Sequence, residues 1–199
     1  NNDFHRTYEV RSTDSRRDPR TRLADGNAMF LKSISPAVLA NLAKGQHPFV
    51  AILTCSDSRV SPVSVFNLSL GEAFVVRVAG NCASDPTVLG SLEYAVSHLK
   101  VRAILVLGHT SCGAVKASCD CVDHGNLRPV MTDIERARSR LPVEKARDGD
   151  SIAEANVHLQ MRRLQDLSPV IRGEVESGRL EMIGAMFDIA TGRVRFVNS

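Results

Sequence analysis

Two short strings, far apart in the chain, hold residues able to do metal chemistry. One is C-S-D-S-R, Cys55 to Arg59, and the other is G-H-T-S-C-G, Gly108 to Gly113. Together they offer two thiols and an imidazole, Cys55, His109 and Cys112. A catalytic Zn²⁺ takes three protein ligands of these types and leaves a fourth position open, whereas a structural zinc is closed by a fourth. Asp57 and Arg59 flank the first of these residues. A charged pair there suggests that the open position is used for chemistry. Each piece alone has a plainer reading: a buried Cys is usually a small hydrophobe, and an Asp-x-Arg is usually an ordinary ion pair. The case rests on their combination.

Such residues need a scaffold that brings them together. From residue 48 the chain alternates apolar strand-like runs with helical stretches. The runs are Phe49–Thr54, Phe74–Ala79, Ala103–Leu107 and Leu180–Phe187. Short continuous apolar runs fit strands buried on both faces. Between them, Thr87–Lys100, Pro129–Arg140, Ser151–Asp166 and Pro169–Glu176 have helical spacing. Arg193–Val197 alternates after a Thr-Gly turn and reads as an edge strand of a hairpin. This order predicts an α/β fold with a mainly parallel sheet covered by helices. Ligands collect outside the carboxyl ends of strands in such sheets. Cys55 and His109 fall just past the ends of the first and third runs. If those strands are neighbours, about 4.8 Å apart, their terminal side chains can share one ion. Cys112 stands where a new helix should begin near Gly113, a place that favours a thiolate.

Ahead of this region, residues 1–47 read as an N-terminal arm with helices, and residues 48–199 as the catalytic α/β part of a single domain overall. The first 20 or so residues are polar, Asp18-Pro19 marks a helix start, and a short helix follows around Ala37–Ala43. Residues 120–127 and 147–150 read as surface loops.

The bulk numbers narrow the class. The 199 residues are 43% hydrophobic and 24% charged, ordinary for a globular chain with a sizeable core. A formal charge of +3 is too small to argue for nucleic acid. No apolar run approaches the roughly 20 residues that span a bilayer, so no membrane partner is expected. Five cysteines make an odd set, which fits a reducing compartment better than a disulfide scaffold. The chain opens Asn1-Asn2-Asp3, without methionine or a secretory apolar segment. We expect a trimmed N-terminus, from which a targeting segment could have been lost, and a cytoplasmic location. Cys119-Asp120-Cys121 could hold a second metal but has no partner histidine; with Cys82 these read as free thiols. His47, His98, His124 and His158 read as surface or core residues.

At this point the strings resemble the β-class carbonic anhydrases. C-S-D-S-R-V, F-V-V-R-V-A-G-N (Phe74–Asn81) and G-H-T-S-C-G-A-V (Gly108–Val115) match in order and spacing. G-S-L-E-Y-A-V (Gly90–Val96) and S-P-V-I-R (Ser168–Arg172) fit too, and the likeness runs from about Ala24 to Val197. The resemblance implies four parallel strands extended by an antiparallel fifth, with a helical arm that wraps a partner. It implies reversible hydration of CO₂ to bicarbonate and a proton by attack of zinc-bound hydroxide. The zinc ligands then fall on Cys55, His109 and Cys112, and the Asp–Arg dyad on Asp57 and Arg59. In a closed state Asp57 becomes a fourth ligand. Gln46 and the aromatic pair Phe74 and Tyr94 are features of the plant-like branch, and imply a homodimer, or a higher even oligomer such as a tetramer or octamer, in which they reach the neighbouring subunit's zinc. Val60 joins the aromatic pair as an apolar wall for CO₂, and Gln46 with the Gly113 backbone N–H would bind the developing bicarbonate. Leu68-Ser69, where many relatives have Gln-Gly, and Ala79, in place of a valine, depart from the pattern without touching a motif residue. With two anionic thiolates the metal is a weaker Lewis acid than on three neutral imidazoles, so activity should rise on the alkaline side. Three rival readings remain from the residues: hydrolysis of COS or CS₂ at the same site, a non-catalytic zinc module, and a thiol redox protein, which lacks a C-x-x-C.

Overall fold

The computed structural model describes residues 18–119 and 125–197. Residues 1–17 of the expected arm, together with Cys121 and His124, lie outside the described residues. The chain divides between Gly45 and Gln46 into two compact units.

The first unit contains α1 (Pro19–Ser33) and α2 (Pro36–Leu42). Both begin as the sequence dictates: Asp18 and Ser35 cap the free N–H groups of Thr21 and Val38, and a proline follows each cap at the first helical position. Neither helix buries a residue, and Leu23, Leu31 and Val38 stand exposed.

The second unit runs β1 (Val50–Thr54), α3 (Pro62–Val65), β2 (Ala73–Arg77), α4 (Pro86–Ser97), β3 (Ala103–His109), α5 (Gly113–Cys119), α6 (Arg128–Arg138), α7 (Gly149–Leu167), α8 (Pro169–Glu176), β4 (Glu181–Phe187) and β5 (Val194–Val197). The strands form one sheet in the order β2-β1-β3-β4-β5. The pairs β1–β2, β1–β3 and β3–β4 are parallel, and β4–β5 is antiparallel. This is the mainly parallel α/β sheet with an antiparallel edge that the sequence predicts.

Strand alternation divides the apolar residues between the two faces. Ala51, Leu53, Ile104 and Val106 enter the larger core with side chains of α4, α7 and α8. Val50, Ile52, Leu105 and Leu107 enter the smaller one with Val60 and Phe187.

Two features differ from the sequence reading. The second run is not buried on both faces: β2 is an edge strand and stays half-exposed. It also ends at Arg77, because Ala79–Asn81 turns into a 3-10 segment with left-handed backbone at Gly80 (φ 64°) and Asn81 (φ 46°). No apolar-pattern argument detects that break. Among the described residues no helix is long and apolar enough to cross a membrane.

The chain leaves β1 toward β2 on one side and returns to β3 on the other. The sheet's switch point therefore lies between β1 and β3, the place where such sheets hold their ligands beyond the strand ends.

Candidate metal centre

Cys55 follows Thr54, the last residue of β1, and His109 is the last residue of β3. Thr54 pairs with Leu107, so both side chains emerge at the same end of adjacent strands. The Thr54 hydroxyl donates to the Leu107 carbonyl (3.0 Å) and ties the two ends together. Cys112 directly precedes α5. The turn that brings it back passes through Ser111 in a left-handed conformation (φ 54°). The result is a cluster whose Cys Sγ and His ring-nitrogen atoms all lie within 4.8 Å of one another, with all three residues buried.

His109 is preset for this position. Its Nδ1–H donates to the Thr110 carbonyl (2.9 Å), which leaves Nε2 as the nitrogen with a free lone pair. That Nε2 is buried and has no hydrogen-bond partner among the described residues. An orphaned imidazole nitrogen beside two sulfurs is costly in a closed core and fits a metal ion. The thiols divide one proton between them. The hydrogen bond from Cys112 pushes the Cys55 thiol down, against the opposing pull of burial and with help from the N–H groups of Asp57 and Gly80. The same hydrogen bond pushes Cys112 up. A soft-donor set of two sulfurs, one of them with its thiol pushed down, and one unpaired nitrogen suits a dication.

Asp57 lies outside this cluster, gripped by Arg59. Arg59 donates from Nε to Asp57 Oδ1 (2.9 Å) and from Nη2 to Oδ2 (2.7 Å), and its backbone N–H also reaches Oδ1 (2.9 Å). The guanidinium holds the Asp57 carboxyl well below the usual carboxylate range.

The other expected site residues are spread more widely. Phe74 on β2 and Tyr94 on α4 meet, with ring centroids 6.1 Å apart at 42°. Tyr94 also stacks on His98 at 5.0 Å. Gln46 is exposed at the start of the second unit. Gly113 is the first residue of α5. Val60 is 0% exposed and packs in the smaller core.

Sequence reasoning missed the supports of this centre. Arg77 donates from Nε to the Cys55 carbonyl (3.1 Å) and from Nη2 to the Asp57 carbonyl (2.7 Å), fixing the loop that holds both residues. The Ser111 N–H donates to Asp150 (2.8 Å), and its carbonyl accepts from Arg59 (3.1 Å). The arginine in F-V-V-R-V-A was a visible signal, being a charge inside an apolar strand.

A buried cluster of two thiols and one imidazole at the switch point of a parallel sheet defines a metal-site α/β protein. Comparison with known proteins makes the class specific. Residues 50–194 match the family model described as carbonic anhydrase. Carbonic anhydrase 2 of Mycobacterium tuberculosis is 39% identical over 183 residues, spanning 86% of this chain and 87% of that protein. The β-carbonic anhydrase CafA of Aspergillus fumigatus superposes with a TM-score of 0.81 at 27% identity, over 91% of each chain. One of two tetrameric β-carbonic anhydrases from Sordaria macrospora superposes with a TM-score of 0.79 at 27% identity, over 90% of this chain and 96% of that one. The chain belongs to the carbonic anhydrase family, in its β class.

Proposed function

We propose that this enzyme hydrates CO₂ reversibly to bicarbonate and a proton with a zinc ion held by Cys55, His109 and Cys112. The observation that carries this reading is the buried convergence of two sulfurs on an imidazole nitrogen that has no other partner. Bound there, Zn²⁺ supplies a Lewis acid that makes hydroxide available from water near neutral pH.

The protein's own groups then select and aim. Asp57, kept anionic and turned aside by Arg59, is an acceptor without a proton to give. It takes a hydrogen bond from the attacking oxygen and directs a lone pair toward carbon. Arg59 holds Asp57 away from the three side chains that would bind the ion. Phe74 and Tyr94 form the apolar wall against which CO₂ is held, with Val60 packed in the smaller core. Gln46 and the Gly113 N–H stabilise charge as it develops on the product oxygens.

The reading extends to assembly. The exposed α1 and α2, the half-exposed edge strand β2 and the tetrameric state of the Sordaria relatives support a homodimer or a higher even oligomer. In it α1 and α2 form an arm on the partner, and Gln46, Phe74 and Tyr94 serve the neighbouring subunit's centre, as in the plant-like branch. Metal analysis beside a CO₂-hydration assay, on the native chain and on His109→Ala, tests the reading. It requires zinc and activity in the first and the loss of both in the second. Activity retained by a metal-free His109→Ala protein would refute it.

A further inference from the structure

Behind the cluster lies a polar network that the mechanism above does not use. The stretch A-E-A-N-V-H-L-Q of α7 places Asn156 and Gln160 one helical turn apart, on the same face. Both are buried in a largely apolar core, with exposures of 1% and 0%. Gln160 Nε2 donates to Asn156 Oδ1 (2.8 Å), and Gln160 Oε1 accepts from the Ala83 N–H (2.9 Å). Asn156 Nδ2 donates to the Gly80 carbonyl (2.7 Å). The Gly80 N–H in turn donates to Cys55 Sγ (3.4 Å).

The geometry of Gly80 explains why it needs holding. The residue is in the left-handed region (φ 64°), and a Cβ there would stand 3.0 Å from Ile134 Cδ1. A side chain there would be strained by the backbone and would crowd Ile134, and glycine has no side chain to anchor its peptide. The network supplies the anchor from the carbonyl side, while the sulfur is met from the amide side. Packing alone would be served by leucine or methionine at 156 and 160. Burying two amides is tolerated only when they are well partnered, as these are.

We propose that Asn156, braced by Gln160, is a positioning residue that keeps the Gly80 N–H on the Cys55 sulfur and so sets that sulfur's strength as a metal donor. A hydrogen bond to a thiolate withdraws electron density from sulfur, which raises the energy of its charge-transfer band, and fixes the sulfur's direction, which favours binding. Outer partners of this kind commonly change metal affinity by about 10–100-fold. The inference rests on reading Cys55 as a metal ligand, and the test separates the two.

The test uses the full chain stripped with a chelator and titrated with Co²⁺, reading the sulfur-to-cobalt charge-transfer band and the affinity by competition with a chelating dye. The native protein should show the band. Its absence overturns the reading of Cys55 and Cys112, and the inference with it. Asn156→Leu should bind Co²⁺ about 10–100-fold more weakly, with the band moved to lower energy. Gln160→Met should move both in the same direction by less, and carries the test if Asn156→Leu does not fold. Leu164→Ala, a fully buried residue of the same helix, should lower thermal stability and leave the band in place. With the native band present, a band and affinity unchanged in the foldable network variants, or a band moved as far by Leu164→Ala, overturns the proposal.

Discussion

Arg59 grips Asp57 with two hydrogen bonds, Nε to Oδ1 at 2.9 Å and Nη2 to Oδ2 at 2.7 Å. Its Nη2 also donates to the Ser111 carbonyl at 3.1 Å, so the dyad is fastened to the turn between His109 and Cys112. The pair is held away from the cluster by a fork and by the loop that the cluster depends on. Arg59→Ala should therefore free Asp57 to approach the metal and should lower hydration by about 100-fold or more, the scale on which misplacing an aligned group acts. Arg59→Lys should restore only part of it, because a point charge cannot grip both oxygens. X-ray absorption at the zinc edge, recorded beside the assay, checks the cause. An active Arg59→Ala enzyme with an unchanged metal environment would contradict it.

Gly108 precedes His109 and has no room for a side chain. A Cβ there would lie 2.6 Å from Val157 Cγ2 and 2.8 Å from Met186 Sδ. Met186 can swing away, but the branched Val157 is stiff. Gly108→Ala should destabilise the fold by about 1–3 kcal/mol through overpacking and weaken metal binding by displacing His109. Urea unfolding gives the first, a metal titration the second. Adding Val157→Ala should make the pair cost less than the sum of the single changes.

Glu154 on α7 holds the edge strand β5 through Arg195, with contacts of 2.7 and 3.2 Å. The Arg195 hydrogen bonds, outweighing partial burial, lower the Glu154 carboxyl below its ordinary value. The folded state thus favours the ionised form. Its contribution is complete above the unfolded glutamate pKa, about 4.3, and is lost as pH falls through the lower folded value. Arg195 is largely exposed and Glu154 about a third so, and the pair is screened, so Glu154→Gln should cost under about 1 kcal/mol at pH 7. The difference from the native chain should shrink below pH 4 and at high salt. Urea midpoints at pH 7 and pH 3 check the sign: a gap that widens in acid would contradict it.

Most of the sheet was legible because its strands carry their burial on their surface. The runs ending at Thr54, Leu107 and Phe187 are apolar on both faces and lie in the interior of the sheet. The convergence of Cys55, His109 and Cys112 was legible because the residue types are rare and sit at strand ends, where the chain must turn. The failure at β2 has the opposite cause: F-V-V-R-V-A reads as an interior strand, but its place at the sheet edge depends on strand order, which periodicity does not encode. The supports at Ser111, Gly80 and Asn156 were hidden for another reason. Their roles are played by backbone groups and amides, which take meaning only once distant segments touch. The Asn156 contact to Gly80 joins residues 76 positions apart.

The central claim, that Cys55, His109 and Cys112 hold a zinc ion on which CO₂ hydration depends, is tested most directly by stopped-flow hydration kinetics from pH 7 to 9. The chain is assayed with one zinc per subunit, after chelation, and after zinc is restored. The expected result is catalysis that rises toward alkaline pH, disappears on chelation and returns with zinc. Full zinc occupancy without hydration at any of these pH values, or hydration undiminished in the stripped protein, would contradict the account.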